Sequence, residues 1–321
     1  MNTPPGRPSA ARVLDGLRSA PPGAGAVVMA TGIISVGMRR LGHPVLSGIT
    51  LVLAAVVWAV LAAAFAVRLG LDRAGWQMVA ASPPGLTAIA ASCVLGTRLS
   101  LLGWQTVAGI LLALSAVVCP WLLVSVLRHW KGPAPGVVFL VCVAAESLAV
   151  LAITIALAED SDWLAWAALV CCAAGIPLYA QALCRFDFRE ITAGAGDQWI
   201  AGGALAITAL TASKLAASPV WTGGAHSALR TGTFVLLALD LAWCAVLAAA
   251  EVARPRPRYD LRRWSTVFPL GMTAVAALST SDVTGARWPH GIGTVLLWVA
   301  VAAWLLTAAG SAAAANRRAR R

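Results

Sequence analysis

The sequence predicts an all-α membrane protein, with ten transmembrane helices forming five helical hairpins around a central pore. Three observations predict it. Of 321 residues, 60% are hydrophobic and 12% charged, with a mean hydropathy of +0.80; an ordinary soluble domain carries roughly twice that charged fraction. Apolar runs recur from residue 23 to residue 311 with no polar domain between them, each near the ~20 residues that a helix needs to cross hydrocarbon. The basic residues between these runs are distributed one-sidedly.

Residues 1–20 contain Pro and Arg and no apolar core, and are expected as a cytoplasmic segment. The first apolar stretch starts at Gly23 and leads into Arg39-Arg40 without a small-residue cleavage site, so it is expected to remain as a helix and not to be removed as a signal peptide. The expected spans are Gly23–Met38, Val45–Val67, Trp76–Leu95, Leu101–Leu127, Gly136–Ala158, Trp163–Cys184, Trp199–Ala216, Ala228–Ala253, Trp264–Ser281 and Trp288–Ala313. They define one membrane domain over residues 21–313, followed by a basic cytoplasmic tail at 314–321.

Charge tests the count. With the amino terminus inside, Arg39, Arg40, Arg98, Lys214, Arg230 and Arg287 fall on or near the outer side. The remaining 18 of the 24 basic residues (24 − 6) fall in cytoplasmic segments. Nine or eleven spans would scramble this asymmetry, so a cell (inner) membrane location with both termini cytoplasmic is expected. The same placement explains the net charge of +11: basic loops meet anionic lipid headgroups, and nucleic acid is not an expected partner.

A second pattern separates odd from even spans. The first span has Thr31, Gly32 and Ser35, and the third has Pro83, Pro84 and Thr87. The seventh has Gly203, Thr208 and Thr211, and the ninth has Pro269, Gly271 and Thr273. Even spans lean to Leu, Val, Ala and Trp. Hydroxyls and interrupted backbone are tolerated at membrane depth where they face protein or a cavity, not lipid. An inner set of odd helices and an outer set of even ones follows. Candidate pore-lining residues are Thr31, Gly32, Ser35, Thr87, Glu146, Thr208, Thr211 and Thr273. The alternative is that the small residues simply admit close helix contacts.

Phe139 and Phe268 are the only phenylalanines in odd spans. Phe268 precedes Pro269, which removes a helix hydrogen bond; with Gly271 it forms an expected kink that aims a bulky ring into a lumen. Apolar constrictions gate by dewetting, although packing is the other use of such a ring.

Trp264–Met272, with Arg258-Tyr259-Asp260 before it, and the block Trp199-Ile-Ala-Gly-Gly-Ala-Leu-Ala-Ile-Thr208 resemble the tellurite-resistance/C4-dicarboxylate transporter family. That family includes the plant slow anion channels and fungal sulfite exporters. Val27–Ile33 and Glu146–Ala152 are similar to its first and fifth helices, so the resemblance runs in order over about residues 21–310. It implies ten helices as five hairpins around a pore in each subunit of a homotrimer, occluded by a Phe of the ninth helix, to which Phe268 corresponds. It also implies small anionic solutes as partners: halide, small oxyanions such as sulfite or nitrate, C4-dicarboxylates, or tellurite.

Glu146 stands in mid-span, where an ionised carboxylate is costly and repels anions. It is protonated, paired with a base such as Lys214, or a proton-coupling site in a secondary transporter. Lys214, near the outer end of the seventh span, either attracts anions or snorkels. Asp240 belongs to an outer span and is expected to bond a neighbouring helix.

Enzyme motifs are absent: no GxxxxGK[ST] loop, no HExxH and no CxxC pair among the seven cysteines. No cofactor or metal is expected. A membrane-embedded enzyme would need clustered catalytic side chains at one face, and none can be assembled. A non-transporting scaffold would have an obstructed centre.

Overall fold

The computed structural model describes residues 21–130, 132–256 and 259–320. The segment 1–20, Lys131, Arg258 and Arg321, used in the topology argument, lie outside the described residues.

Twelve α-helices and no named strand occur among the described residues: α1 (Gly25–Arg40), α2 (Pro44–Leu71), α3 (Arg73–Ala80), α4 (Thr87–Ser100), α5 (Gln105–Arg128), α6 (Leu140–Glu159), α7 (Asp162–Arg185), α8 (Glu190–Ala193), α9 (Ile200–Ala216), α10 (Gly223–Ala253), α11 (Trp264–Thr284) and α12 (Trp288–Ala319). Seven of the segments are long and apolar enough to cross a membrane. α1 and α4 are shorter, at 16 and 14 residues, and α11 has 21 residues with many hydroxyls.

The stretch Trp76–Leu95 is not one continuous span. The chain forms the short α3, breaks at Ser82-Pro83-Pro84-Gly85, and restarts as α4, which runs past Leu95 to Ser100. Consecutive prolines lack donors and push the preceding residue out of the helical region; Ser82 has φ −102° and ψ 140°. At the carboxyl end, the boundary at residue 313 falls inside α12, which stays helical to Ala319.

Burial divides the helices into two sets. In their most apolar stretches, Gly136–Glu159 is 94% and Asp197–Ala216 100% buried, against 17–28% for the helices α2, α5, α7, α10 and α12. α1, α4 and α11 are also buried along most of their length. The second set exposes large apolar groups such as Val117, Leu306 and Trp163, a surface suited to lipid, since water would strongly disfavour so much contiguous apolar area.

The five buried helices touch in a closed order: α1 meets α4, α4 meets α6, α6 meets α9, α9 meets α11, and α11 returns to α1. Each also packs against the helix that follows it: α1 on α2, α4 on α5, α6 on α7, α9 on α10 and α11 on α12. A 3₁₀ turn opens every member of the ring: Pro22–Ala24, Pro83–Leu86, Gly136–Phe139, Asp197–Trp199 and Leu261–Arg263. Most of these turns touch one another, so the five amino termini gather at one end and the ring helices run in the same direction.

Glycine sets how tightly the ring closes. A Cβ on Gly32 would lie 2.7 Å from Val94 Cγ1, one on Gly271 2.7 Å from Ile33 Cγ2, and one on Gly203 2.8 Å from Pro269 Cγ. Close backbone approach through small residues is the usual basis of helix association in lipid, where the hydrophobic drive is absent.

Candidate functional site

All five ring helices line one cavity. Ile33 of α1, Val94 of α4, Val150 of α6, Leu210 of α9 and Val275 of α11 contribute apolar wall, and Thr97, Arg40 and Lys214 are its polar members towards the carboxyl-terminal ends of the helices. The spacing explains the convergence. Ile33, Val36 and Arg40 on α1, and Ile207, Leu210 and Lys214 on α9, recur at i, i+3 and i+7, which is one helix face. The free space is about 20 Å³, room for roughly one water molecule.

Phe268 is buried at 2% exposure. It precedes Met272 and Val275, both on the cavity wall, by four and seven residues, so it shares their face of α11 about 6 Å nearer the amino-terminal end of the ring. Pro269 beside it fills the space left by Gly203.

Most of the hydroxyl residues expected to line a pore instead hold neighbouring helices. Thr31 Oγ1 accepts from Trp304 Nε1 of α12 at 2.9 Å. Thr273 donates to Asp240 Oδ1 of α10 at 3.0 Å. Thr208 contacts Glu146 Oε1 at 3.0 Å and donates to the Ala204 carbonyl at 2.9 Å. Thr211 donates to the Ile207 carbonyl, and Gly32 and Gly271 are contact points between ring helices. Thr87 belongs to a separate cavity of about 290 Å³ between α2, α4 and α5. A hydroxyl in a low-dielectric interior must find a partner, and an adjacent helix or the preceding turn of its own helix supplies one.

Ser35 belongs to a clasp. Its hydroxyl donates to the Ser47 carbonyl and the Ser47 hydroxyl donates to the Ser35 carbonyl, both at 2.7 Å. Arg98 Nε donates to both hydroxyl oxygens, at 3.1 and 3.2 Å. Arg98, expected near an outer link, is therefore buried in α4 and ties it to α1 and α2.

Glu146 is buried against Thr208 and against Gly175 of α7, whose missing Cβ makes room for the carboxyl group. It does not line the cavity, and Lys214 is not its partner; the latter lies on the cavity wall instead. The residues that sequence reasoning passed over are Arg40, Thr97, Cys93 and Ser147. The i, i+3, i+7 recurrence ending in Arg40 and in Lys214 was the available signal.

At the amino-terminal end, Glu251 of α10 binds Arg256 at 2.7 Å and Arg263 at 2.8 Å. Asp260 caps the turn before α11 by accepting from the Arg262 N–H at 2.9 Å. Burial opposes ionisation of Asp260, but hydrogen bonds and charge from Arg262 outweigh it and hold the carboxyl below its ordinary range. These contacts fix the start of α11, and with it the height of Phe268.

The family profile of the voltage-dependent anion channels matches residues 19–312. The chain belongs to the voltage-dependent anion channel family. Two relatives from Mycobacterium tuberculosis are similar over a shorter stretch: the uncharacterized membrane proteins MT1776 (strain CDC 1551 / Oshkosh) and Rv1735c (strain ATCC 25618 / H37Rv). Each is 33% identical over 120 residues, covering 34% of this chain and 59% of the relative. The chain thus spans less than two thirds of the length of these curated relatives. In this voltage-dependent anion channel family member, all five ring helices contribute to one cavity, with Arg40 and Lys214 at one end.

Proposed function

We propose that the chain conducts small anions through the axis of the five-helix ring, with ten helices (α1, α2, α4–α7 and α9–α12) spanning the membrane as five hairpins and Phe268 closing the route. The observation that carries this reading is the cavity walled by all five ring helices, with Lys214 and Arg40 at one end and Phe268 one turn beyond its last apolar residues. Five parallel macrodipoles, each equivalent to about half a positive charge at the amino terminus, favour anions at the amino-terminal mouth, away from Lys214 and Arg40.

That mouth is the cytoplasmic one on this reading. Arg68, Arg128, Arg185 and Arg254 stand at the ends of α2, α5, α7 and α10 that adjoin the ring's amino termini, as the positive-inside rule requires. The protein assembles as a homotrimer in the inner membrane, as the resembled transporter family does. Its physiological solute is a halide, a small oxyanion including tellurite, or a C4-dicarboxylate. Lys214 concentrates anions at the outer end.

Chloride efflux from proteoliposomes tests the route. Val275→Trp, on the cavity wall, should reduce flux at least about tenfold, equivalent to roughly 1.4 kcal/mol on the barrier. Leu239→Trp, on the exposed face of α10, should leave it unchanged. Equal flux in both variants would reject an axial route.

A carrier coupled to protons at Glu146 is the weaker reading, because that carboxyl group faces α7 and α9 and not the cavity. Glu146→Gln preserves shape and the contact with Thr208. It is expected to leave the pH profile of flux unchanged; a flattened profile would reinstate coupling.

A further inference from the structure

We infer that the carboxyl-terminal end of the cavity is a seat for one small monovalent anion, formed by Lys214, Arg40 and Thr97, with Asp282 setting its affinity by competing for Arg40. The inference rests on the axial route above and narrows its substrate class.

Three ring helices deliver these side chains to the same space: α9, α1 and α4. Arg40 is engaged on its outer side by Asp282, at 2.7 Å. Lys214, only 8% exposed, has no acidic partner among the described residues. Thr97 is 5% exposed, and its Oγ1 has no hydrogen-bond partner among the described residues. A buried cation and a buried hydroxyl left without partners are costly arrangements, and both adjoin the same small space.

The helix ends account for how the cations stay there. Arg40 and Lys214 lie in the last turns of α1 and α9, where the negative end of the macrodipole favours positive charge. That same negative end opposes an anion, so the seat depends on Lys214, which has no acidic partner among the described residues, and on the Arg40 donors that Asp282 does not hold. An anion between them offsets their mutual repulsion beside the buried Lys214, where charge is less screened than in water, and it gains charge-assisted hydrogen bonds.

Size selects the ligand. The free space, about 20 Å³, favours one compact particle such as chloride over an extended solute. A four-carbon dicarboxylate is too long for that space, and while Asp282 holds Arg40 its second charge has no cation of its own. Asp282 is 64% exposed and Arg40 26%, so their ion pair lies at the water-facing rim and gives way more readily than a buried one.

The test uses the full chain purified in detergent and, separately, in liposomes. Ligand binding to the folded state raises thermal stability, so the melting temperature is followed against chloride, with gluconate keeping ionic strength constant. The half-effective chloride concentration should rise at least fivefold in Lys214→Met and in Thr97→Val. It should return towards the natural value in Lys214→Arg, and fall at least twofold in Asp282→Asn. Malate should give no stabilisation beyond gluconate. Unchanged half-effective concentrations in Lys214→Met and Thr97→Val, or stabilisation by malate equal to that by chloride, would overturn the seat. Flux in liposomes reads the axial route by itself: a conducting protein without chloride stabilisation retains the route and loses the seat, whereas stabilisation without flux does the reverse.

Discussion

Phe268→Ala is expected to raise chloride flux through the reconstituted protein by at least about tenfold, or roughly 1.4 kcal/mol of barrier. Phe268 falls on the face of α11 that carries Met272 and Val275, one turn nearer the amino-terminal end than Met272. Replacing it with a methyl group widens an apolar constriction and lets water enter, which is how such gates open. Stability gives an independent reading of the same variant. A fully packed core Phe costs about 3–5 kcal/mol when cut to Ala, whereas a ring projecting into a lumen leaves little to collapse. Raised flux with a small fall in melting temperature identifies a gate. Unchanged flux with a large fall identifies a packing residue, and the proposed closure would then be abandoned. Phe268→Leu should lie between the natural chain and Phe268→Ala in flux.

The second large effect is on stability. Gly136→Ala is expected to destabilise the protein by about 3 kcal/mol, the upper end of ordinary overpacking costs. A Cβ at Gly136 would collide with the backbone of Asp197 and Gln198, where the 3₁₀ turn before α6 meets the one before α9. A side chain can rotate out of the way; backbone held in a ring of five turns cannot. Thermal unfolding in detergent checks this against Gly232→Ala, whose added methyl would meet nothing within 4 Å. The control should melt at or above the natural temperature. If Gly136→Ala matched it, the turn ring would not be a rigid element, and the height of α11 would have to be set elsewhere.

The hairpin reading depended on even spans being more apolar than odd ones, and the burial contrast between α2, α5, α7, α10 and α12 and the ring helices follows that alternation. The break at Ser82–Gly85 is equally visible as two prolines and a glycine, although the apolar runs on either side read as one span. The lining set was less legible. Thr31, Thr208 and Thr273 were grouped as pore-lining because hydroxyls inside a membrane need polar company, and that requirement does hold. Trp304, Glu146 and Asp240 provide the company from neighbouring helices. A fully buried helix is apolar on all sides, so it carries no amphipathic stripe from which to read which face looks inward.

By itself, the sequence determined that this is a multi-pass membrane protein, that its helices alternate between more and less apolar types, and that its cations collect at particular helix ends. Each of those properties is decided residue by residue, through the transfer of side chains between water, lipid and protein. Only the tertiary structure decided that Arg40, Thr97 and Lys214 share one cavity, that Arg98 is locked to Ser35 and Ser47, and that Glu146 points away from the axis. Those facts depend on the rotation of each helix about its own axis. That rotation is set by contacts such as Gly203 with Pro269 and Gly271 with Ile33, between residues far apart in the chain.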